Sequence, residues 1–496
     1  MGLETSGLGR RKTIGLFLGP GLLLGWLLIP APSGLPVAGW HVAAVAGLMA
    51  VWWITEAIPI AATALIPIAF YPALKVMSPA EVTASYANHL IYLYLGGFLI
   101  AVTIERWGLH RRIALLTIRL IGFSPRRILL GFMLATAGLS MWISNTATAM
   151  MMLPIGLAVV RQAAKMTGRA EDSEPAKFPF GTALMLGIAY SASIGGIATL
   201  IGTPPNAILV GVVEKTFSES ISFLTWMKVG LPLAGLMLVL TWLYLTAFAF
   251  RGEIAELPGG FEVIEDELRR LGPTTREQKW VLGVFTTVAS AWILRGLVPW
   301  EPLSSIQDST IAIAGALLLF LIPSDRRKGV FLLDWKTASR IPWDIIILFG
   351  GGFALANGFA DSGLTRWIAS NLQSLEGSSP VVLIGITALV VVFLTEITSN
   401  TATAALALPI VAALAEAVHL HPYGLMVTVA IAASFAFMMP VATPPNAIVY
   451  SSRYVTMPQM AGIGFGLNLI GALLLVLTVL FWLPYVWGIE LTRLGG

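Results

Sequence analysis

Two polar motifs each occur twice in this chain, inside long apolar sequence. SNTATA occupies residues 144–149 and 399–404, and TPPNAI follows at residues 203–208 and 443–448. The copies of the first motif are 255 residues apart and those of the second 240. Interruptions at corresponding positions of two apolar halves are a sequence sign of a membrane transporter's binding site. The chain is therefore expected to contain a duplicated fold with two half-sites.

The composition indicates that most of this fold lies in a membrane. Hydrophobic residues make up 57% of the chain and charged residues only 11%, against about 25% charged in soluble domains. Apolar stretches of bilayer-spanning length recur along the sequence, so we expect an all-α polytopic membrane protein. The absence of cysteine excludes disulfides and thiolate metal sites. No Asp-rich DDxxD motif of a prenyltransferase type occurs, so we expect no enzymatic activity.

About eleven apolar segments are predicted to cross the membrane as helices. They are residues 13–30, 39–57, 60–76, 86–106, 179–213, 222–250, 278–298, 306–323, 343–360, 423–453 and 460–489. Two more stretches, 128–161 and 381–416, contain an SNT break near the middle and are predicted to be re-entrant hairpins. Irregular backbone at membrane depth is tolerated only where it is buried in protein or lines a cavity.

The basic residues fit this arrangement. With the N-terminus in the cytoplasm, 24 of the 30 Lys and Arg residues fall on the cytoplasmic side, as the positive-inside rule requires. Treating the hairpins as full spans would move part of this basic set outside. We therefore expect a multi-pass protein of the cell (inner) membrane with a cytoplasmic N-terminus. A cleaved signal peptide that includes residues 13–30 remains an alternative.

The duplication divides the chain into four parts. These are the N-terminal first span (1–38), a first repeat (39–250), a cytoplasmic connector (251–277) and a second repeat (278–496). Five spans in each repeat, an odd number, would invert one repeat relative to the other. The matching segments 105–127 and 361–380 carry six arginines and one, as expected for opposite sides of a membrane.

The residues at the breaks suit both an anion and a cation. Ser, Asn and Thr are strong helix N-caps, and residues 147–160 and 402–416, after the SNT sequences, are predicted to be helical. Helix N-termini present free N–H donors and about half a positive charge, which favours an anion. Released carbonyls and the Ser and Thr hydroxyls suit a hard cation such as sodium. The proline pairs are expected to stop the preceding helices and free more carbonyls.

Charged residues are scarce near the motifs. No Lys or Arg lies at either SNT tip in the sequence, so dipoles and co-transported cations are expected to balance an anion. This favours a cation-coupled symporter over an exchanger. Glu56, Glu105, Asp344 and Glu396 lie near or within spans, where an ionisable group is costly and usually functional or paired. Glu396, four residues before Asn400, is interpreted as a structural carboxylate that braces its hairpin.

Taken together, the motifs resemble those of the divalent anion/sodium symporters, the family of sodium–dicarboxylate and sodium–citrate carriers. The resemblance rests on both SNT and both PPN sequences and on SFAFMMPVATPPNAIV at residues 434–449. It covers nearly all of the chain after the first span. It implies eleven spans with two hairpins, sodium-coupled symport of di- or tricarboxylates, a homodimer, and an elevator mechanism in which a transport domain moves against a scaffold.

The resemblance also implies site residues where this sequence matches the family's motifs. The carboxylate-binding positions correspond to Ser144, Asn145, Thr146, Thr203, Ser399, Asn400, Thr401 and Thr443. The first sodium site corresponds to Ser140, Ser144, Asn145 and Gly202, and the second to Thr395, Ser399, Asn400 and Ala442. Ser140 and Thr395 each lie one helical turn before an SNT serine.

Several related functions remain open at this level. Pocket shape decides between succinate, malate, fumarate, citrate and sulfate, and the motifs do not specify it. The alternatives are proton-coupled transport, a sodium-independent dicarboxylate exchanger, or a sulfate transporter of the same fold. An ion channel would not need two inverted, asymmetric tips. The expected partners are the anion, sodium ions, the lipid bilayer and a second copy of the chain, and no nucleic acid.

Overall fold

The regular structure of the protein is almost entirely helical. The structure, a computed structural model, describes residues 9–166, 175–250, 260–298, 306–325 and 327–491. Within these ranges the only strands are a short antiparallel pair, Pro323–Asp325 and Val330–Phe331. The expected all-α fold class is confirmed.

The first half begins with two long helices, α1 and α2, that pack against each other. Its helices are α1 Arg10–Leu28, α2 Val37–Thr55, α3 Ile60–Thr63, α4 Ile66–Ala73, α5 Pro79–Ser85, α6 His89–Arg106, α7 Leu109–Ile121, α8 Pro125–Ser140, α9 Asn145–Met166, α10 Pro179–Ile197, α11 Pro204–Phe217 and α12 Phe223–Leu243. A 3₁₀ turn, Pro175–Lys177, precedes α10, and a π-helical segment, Tyr244–Ala249, extends α12.

The remaining helices comprise α13, which lies within the predicted connector, and those of the second half. They are α13 Gly260–Leu271, α14 Arg276–Leu297, α15 Asp308–Leu321, α16 Trp335–Ala338, α17 Trp343–Asp361, α18 Leu364–Asn371, α19 Pro380–Thr395, α20 Asn400–Ala417, α21 Pro422–Ala432, α22 Pro444–Tyr450, α23 Met457–Leu477 and α24 Leu483–Trp487. A 3₁₀ turn, Gln373–Leu375, precedes α19, and a π-helical segment, Thr478–Trp482, joins α23 to α24.

Among the described residues, nine helices are long and apolar enough to cross a membrane. The predicted spans 179–213 and 423–453 are each divided into two helices by irregular backbone, and 60–76 contains two short helices. Helices α9 and α20, from the predicted hairpins, also have spanning length and composition. The count of eleven crossings and the re-entrant course of the hairpins therefore stay predictions.

The repeated sequence adopts the same local structure twice. Helices α7 and α18 each follow a glycine with positive φ, Gly108 at 65° and Gly363 at 79°, a conformation that glycine adopts at little steric cost. Helices α8 and α19 each start with a proline, which suits a first helical position because the missing N–H has no partner there anyway. Each ends one short turn before the next helix starts at an SNT asparagine.

The two halves interlock at the breaks. Helix α11 of the first half packs against α20 of the second, and α22 of the second half packs against α9 of the first. Helix α10 is buried from Phe180 to Ile197 and contacts α8, α9 and α22. Each half therefore contributes to the surroundings of the other half's polar break.

The connector holds the beginning of the second half against the first. Helix α13 forms ion pairs with α7, between Arg111 and Glu267 and between Arg119 and Glu265. Arg112 reaches Gln278 in α14 with a hydrogen bond of 2.9 Å. Residues 251–259 of the predicted connector lie outside the described residues.

Candidate functional site

The two SNT sequences lie where one helix ends and another starts. Helix α9 starts at Asn145 after a turn at residues 141–144, and α20 starts at Asn400 after the turn at 396–399. Ser144 Oγ accepts a hydrogen bond from the backbone N–H of Ala147 at 3.2 Å, so the predicted N-cap is confirmed there. Ser399 occupies the N-cap position, but its side chain accepts no capping bond, and that part of the prediction is wrong. The start of α20 thus has more free N–H donors than expected.

The TPPN asparagines tie the broken helices together. Asn206 Nδ2 lies within hydrogen-bond distance of the carbonyls of Gly196, Ile197 and Thr199, the closest at 2.8 Å. Asn446 Nδ2 donates to two carbonyls of the second break, both at 3.0 Å. The amides therefore collect carbonyls that the interrupted helices leave without an intrahelical partner.

The prolines have a different role from the one predicted. Helix α10 ends at Ile197 and α21 at Ala432, well before the proline pairs. Pro204 and Pro444 are instead the first residues of α11 and α22. The prolines start the following helices, and irregular backbone before them separates the two parts of each broken helix.

Both tips and both breaks border one cavity of about 640 Å³. The residues predicted to bind the anion all line it: Ser144, Asn145, Thr146, Thr203, Ser399, Asn400, Thr401 and Thr443. Gly202 and Ala442, from the predicted sodium sites, also line it. Ser140 and Thr395 lie behind the tips and are fully buried. Residues far apart in the sequence are thus brought to one place.

A cluster of three oxygens lies behind the first tip. Ser140 Oγ is 2.6 Å from Asn145 Oδ1 and 2.7 Å from the carbonyl oxygen of Ala192. A hydroxyl has one hydrogen and can donate it to only one of these two acceptors. A cation among the oxygens would stabilise the group. An amide turned so that Nδ2 donates to Ser140 would satisfy the same atoms without a cation.

The second tip repeats this cluster. Thr395 Oγ1 is 2.7 Å from Asn400 Oδ1 and 2.9 Å from the carbonyl oxygen of Ala433. The residue types differ only in the methyl group that distinguishes Thr395 from Ser140. Two separate parts of the sequence therefore place a hydroxyl, an amide oxygen and a carbonyl together in the same way.

Close backbone packing shapes the first break. A Cβ atom added to Gly202 would lie 2.4 Å from the carbonyl oxygen of Gly196. One added to Gly196 would lie 2.7 Å from Asn145 Oδ1. A side chain at Gly196 would push the break away from the first tip, whereas one at Gly202 would disrupt the close backbone approach within the break. The second break has alanines, Ala436 and Ala442, at the corresponding positions.

Glu396 fastens the second tip to the second break. Its carboxylate accepts hydrogen bonds from the backbone N–H groups of Met438 at 2.9 Å and Met439 at 3.0 Å. It also accepts one from Asn468 Nδ2 at 2.7 Å. The interpretation of Glu396 as a bracing carboxylate is confirmed.

One cationic residue at the cavity was missed by the sequence reasoning. Arg11 lines the cavity and donates a hydrogen bond of 2.8 Å to the carbonyl of Ile397, in the turn of the second tip. The expectation that no Lys or Arg lies at the tips is therefore wrong for this tip. Arg11 belongs to a basic N-terminal run that fits the positive-inside rule, so its sequence position gave no sign of this contact. Glu56 and Asp344 also line the cavity.

The first tip is packed by aromatic rings. Trp142, 255 residues before Ile397, has ring centroids 5.0 Å from Phe285 and 5.9 Å from Phe223. Trp292 stacks on Phe223 at 4.5 Å. The first tip thus contacts α14 and α12 through a stacked aromatic cluster.

Two solved structures share the fold at low sequence identity. The YdaH transporter of Alcanivorax borkumensis superposes with a TM-score of 0.57 at 11% identity, covering 91% of this chain and 99% of that chain. MtrF of Neisseria gonorrhoeae, described with a class of antimetabolite efflux pumps, gives a TM-score of 0.57 at 12% identity and covers 96% of each chain. At these identities the likeness concerns the fold alone.

Sequence relatives are much closer. The sodium-dependent dicarboxylate transporter SdcS of Staphylococcus saprophyticus is 46% identical over 486 residues, which cover 97% of this chain and 93% of that protein. SdcS of Staphylococcus aureus is 47% identical over 485 residues, with the same coverage of 97% and 93%. Residues 11–488 match the family described as the sodium:sulfate symporter transmembrane region. Because this match spans nearly the whole chain, the protein belongs to the divalent anion/sodium symporter family of membrane transporters.

Proposed function

We propose that the protein is a secondary active transporter that carries dicarboxylate or tricarboxylate anions together with sodium ions. The observation that carries this proposal is the convergence of both SNT tips and both TPPN helix starts on one cavity. Helix N-termini supply N–H donors and positive dipole ends to an anion. The SdcS relatives are named sodium-dependent dicarboxylate transporters, which supports both the anion and the coupling ion.

The site residues fall into two groups with distinct chemistry. The SNT residues and the TPPN threonines offer hydroxyls, amides and backbone N–H groups, which bind carboxylate oxygens. The oxygen clusters headed by Ser140 and Thr395 are the proposed sodium sites, completed by Ser144, Asn145, Gly202, Ser399, Asn400 and Ala442. Sodium ions there would offset the charge of a dianion, which is otherwise costly to hold at membrane depth.

The proposed motion is of the elevator type. The moving body comprises the predicted hairpins, 128–161 and 381–416, and the two broken helices. Packing of α11 on α20 and of α22 on α9 supports their moving together, because these contacts link the two halves. The predicted spans 39–57, 60–76, 86–106, 278–298, 306–323 and 343–360 would form the scaffold and the contact between two copies in a homodimer. We further propose that the repeats are inverted and that the N-terminus is cytoplasmic.

Uptake of labelled succinate into proteoliposomes tests the function. An inward sodium gradient should drive accumulation, whereas an equal gradient of choline should give only background uptake. Unlabelled malate, fumarate and citrate added outside would rank the carboxylates by competition. No uptake of any carboxylate under a sodium gradient would contradict the proposal.

The same vesicles separate the alternatives. Vesicles preloaded with succinate and free of sodium would exchange it for labelled succinate if the protein were a sodium-independent exchanger. Strong competition by sulfate, with none by dicarboxylates, would make sulfate the cargo. We expect neither result.

A further inference from the structure

Arg11 joins two elements that belong to different proposed bodies. Its Nη2 atom donates to the carbonyl of Ile397 at 2.8 Å and also to the carbonyl of Ile54. Ile54 lies in the last turn of α2, and Ile397 lies in the turn of the second tip. One terminal guanidinium nitrogen has two hydrogens and can serve both carbonyls.

Both carbonyls lie at places where a cation is favoured. The last four carbonyls of a helix have no intrahelical partner, and they form the negative end of the helix dipole. Helix α2 ends at Thr55 and α19 ends at Thr395, so Ile54 and Ile397 lie at or just beyond such ends. The guanidinium therefore binds one carbonyl in the last turn of α2 and one carbonyl two residues beyond the end of α19.

The neighbouring basic residues make no such contact. Arg10 and Lys12 are exposed, and their side chains form no hydrogen bond or ion pair with any described residue. Arg11 forms no ion pair with Glu56 or Asp344, although all three line the cavity within the described part of the chain. Its guanidinium is thus committed to the two carbonyls.

We infer that Arg11 is a latch that holds the second tip against α2 in this conformation and must release before the moving body changes position. This inference rests on the proposed elevator motion, in which α2 stays with the scaffold and the tip moves. Arg11 acts here as a positioning residue. Among the described residues no Lys or Arg donates to the turn of the first tip, where Trp142 occupies the position equivalent to Ile397 and packs on aromatic rings.

Crosslinking in the full-length protein tests the latch. The chain has no cysteine, so Ile54→Cys and Ile397→Cys would introduce the only two thiols. Both side chains are exposed, Ile54 at 38% and Ile397 at 55%, and the changes leave the bonded carbonyls in place. A short bifunctional thiol reagent then reports how often the tip lies against α2.

The comparison is between Arg11→Ala and two controls of equal charge change, Arg10→Ala and Lys12→Ala. Loss of one charged hydrogen-bonding group should slow crosslinking by roughly threefold to tenfold in Arg11→Ala. The controls should match the parent. Equal rates in Arg11→Ala and the controls would overturn the latch.

A second cysteine pair separates release of the whole body from loosening of one turn. Trp142→Cys and Phe285→Cys place thiols between the first tip and α14, where the two rings lie 5.0 Å apart. Arg11→Ala should slow crosslinking of this remote pair as well. An effect confined to the Ile54–Ile397 pair would overturn the latch. Succinate uptake by the parent protein decides the proposed function separately, since the crosslinking readout does not depend on the cargo.

Discussion

The two tips have the same arrangement of oxygen atoms behind them but different packing contacts in front of them. Behind each tip, a hydroxyl lies 2.6–2.7 Å from the SNT asparagine oxygen and within 2.9 Å of a carbonyl of the broken helix. In front of the tips the contacts diverge. The first tip packs on aromatic rings through Trp142, whereas the turn of the second accepts a hydrogen bond from Arg11.

This difference shows that the chemical groups proposed to bind the ions are the same in both halves, whereas the residues that hold each tip in place are not. In the proposed function each half-site holds an ion beside a shared anion, which requires the same chemistry twice. The contacts of each tip with the rest of the protein depend on the surrounding helices, which differ for the two halves. Tyr94 of α6 donates to the carbonyl of Thr203 at 2.9 Å, while the corresponding residue of the second half, Phe349, has no hydroxyl to donate.

The substitutions with the largest expected effect test the oxygen clusters that the two tips share. Asn145→Ala and Asn400→Ala each remove an amide that borders the cavity and contacts a buried hydroxyl. Each should reduce the initial rate of succinate uptake by about a hundredfold, because a hydrogen bond to a charged group contributes up to about 3 kcal/mol. The measurement is sodium-driven uptake in proteoliposomes, with size-exclusion elution as a check on folding.

Asn371→Ala, at an exposed position on α18, is the matched control and should transport normally. If only one of the two SNT variants lost uptake, the half-sites would not be equivalent.

Glu396 braces the second tip, and replacing it tests how much this contact of the second half stabilises the protein. The first half has Met141 at this position, and its carbonyl accepts a hydrogen bond from Thr199 at 2.5 Å. Glu396→Ala would leave two backbone N–H groups without their acceptor and should lower stability by about 1–3 kcal/mol. Thermal unfolding of the detergent-solubilised protein measures this loss.

Glu396→Gln keeps an acceptor and should be milder. Since the carboxylate is assigned a bracing role, the pH dependence of uptake should be the same in Glu396→Gln and the native protein. A changed pH profile would make Glu396 a proton-coupling group instead.

The outer packing of the tips predicts unequal sensitivity to truncation. Trp142→Ala removes a ring from a stacked cluster, in which each aromatic pair contributes about 0.5–1.5 kcal/mol beyond its buried area. Ile397→Ala removes a side chain that is 55% exposed. The apparent Tm should fall by several degrees in the first variant and by much less in the second. Equal shifts would mean that the aromatic cluster does not fasten the first tip.

Tyr94→Phe makes the first half resemble the second and should have the smallest effect. It removes a hydroxyl that contacts the carbonyls of Leu200 and Thr203. The loss of one neutral hydrogen bond is about 1 kcal/mol, so the uptake rate should change by less than about tenfold. A complete loss of uptake would show that the hydroxyl contacts the cargo or its ions.

Local signals in the sequence were enough to predict the helix starts at the tips. SNT followed by small apolar residues indicates a capped helix, and α9 and α20 start there. The matched register of the two copies indicated that Ser144 and Ser399 belong to equivalent places. The structure then brings all the predicted anion-binding residues to one cavity, although their roles there remain a proposal.

The exact ends of the broken helices could not be predicted in this way. Proline was expected to end α10 and α21, but the following helix uses Pro204 and Pro444 as its first residues, because a proline at that position lacks an N–H that has no partner anyway.

Contacts between distant elements could not be predicted either. Arg11 has the same sequence context as Arg10 and Lys12. Its reach to Ile397, 386 residues away, depends on the packing of α1 against α2.

The sodium dependence of succinate uptake tests the central claim, that each half-site holds an ion beside a shared anion. Native protein in proteoliposomes should show no uptake without sodium and a Hill coefficient above one. Ser140→Ala and Thr395→Ala should each raise the sodium concentration for half-maximal uptake by about tenfold, while Thr395→Ser, which keeps the hydroxyl, should remain close to native. Uptake that does not depend on sodium, or a sodium dependence unchanged in both alanine variants, would contradict the account.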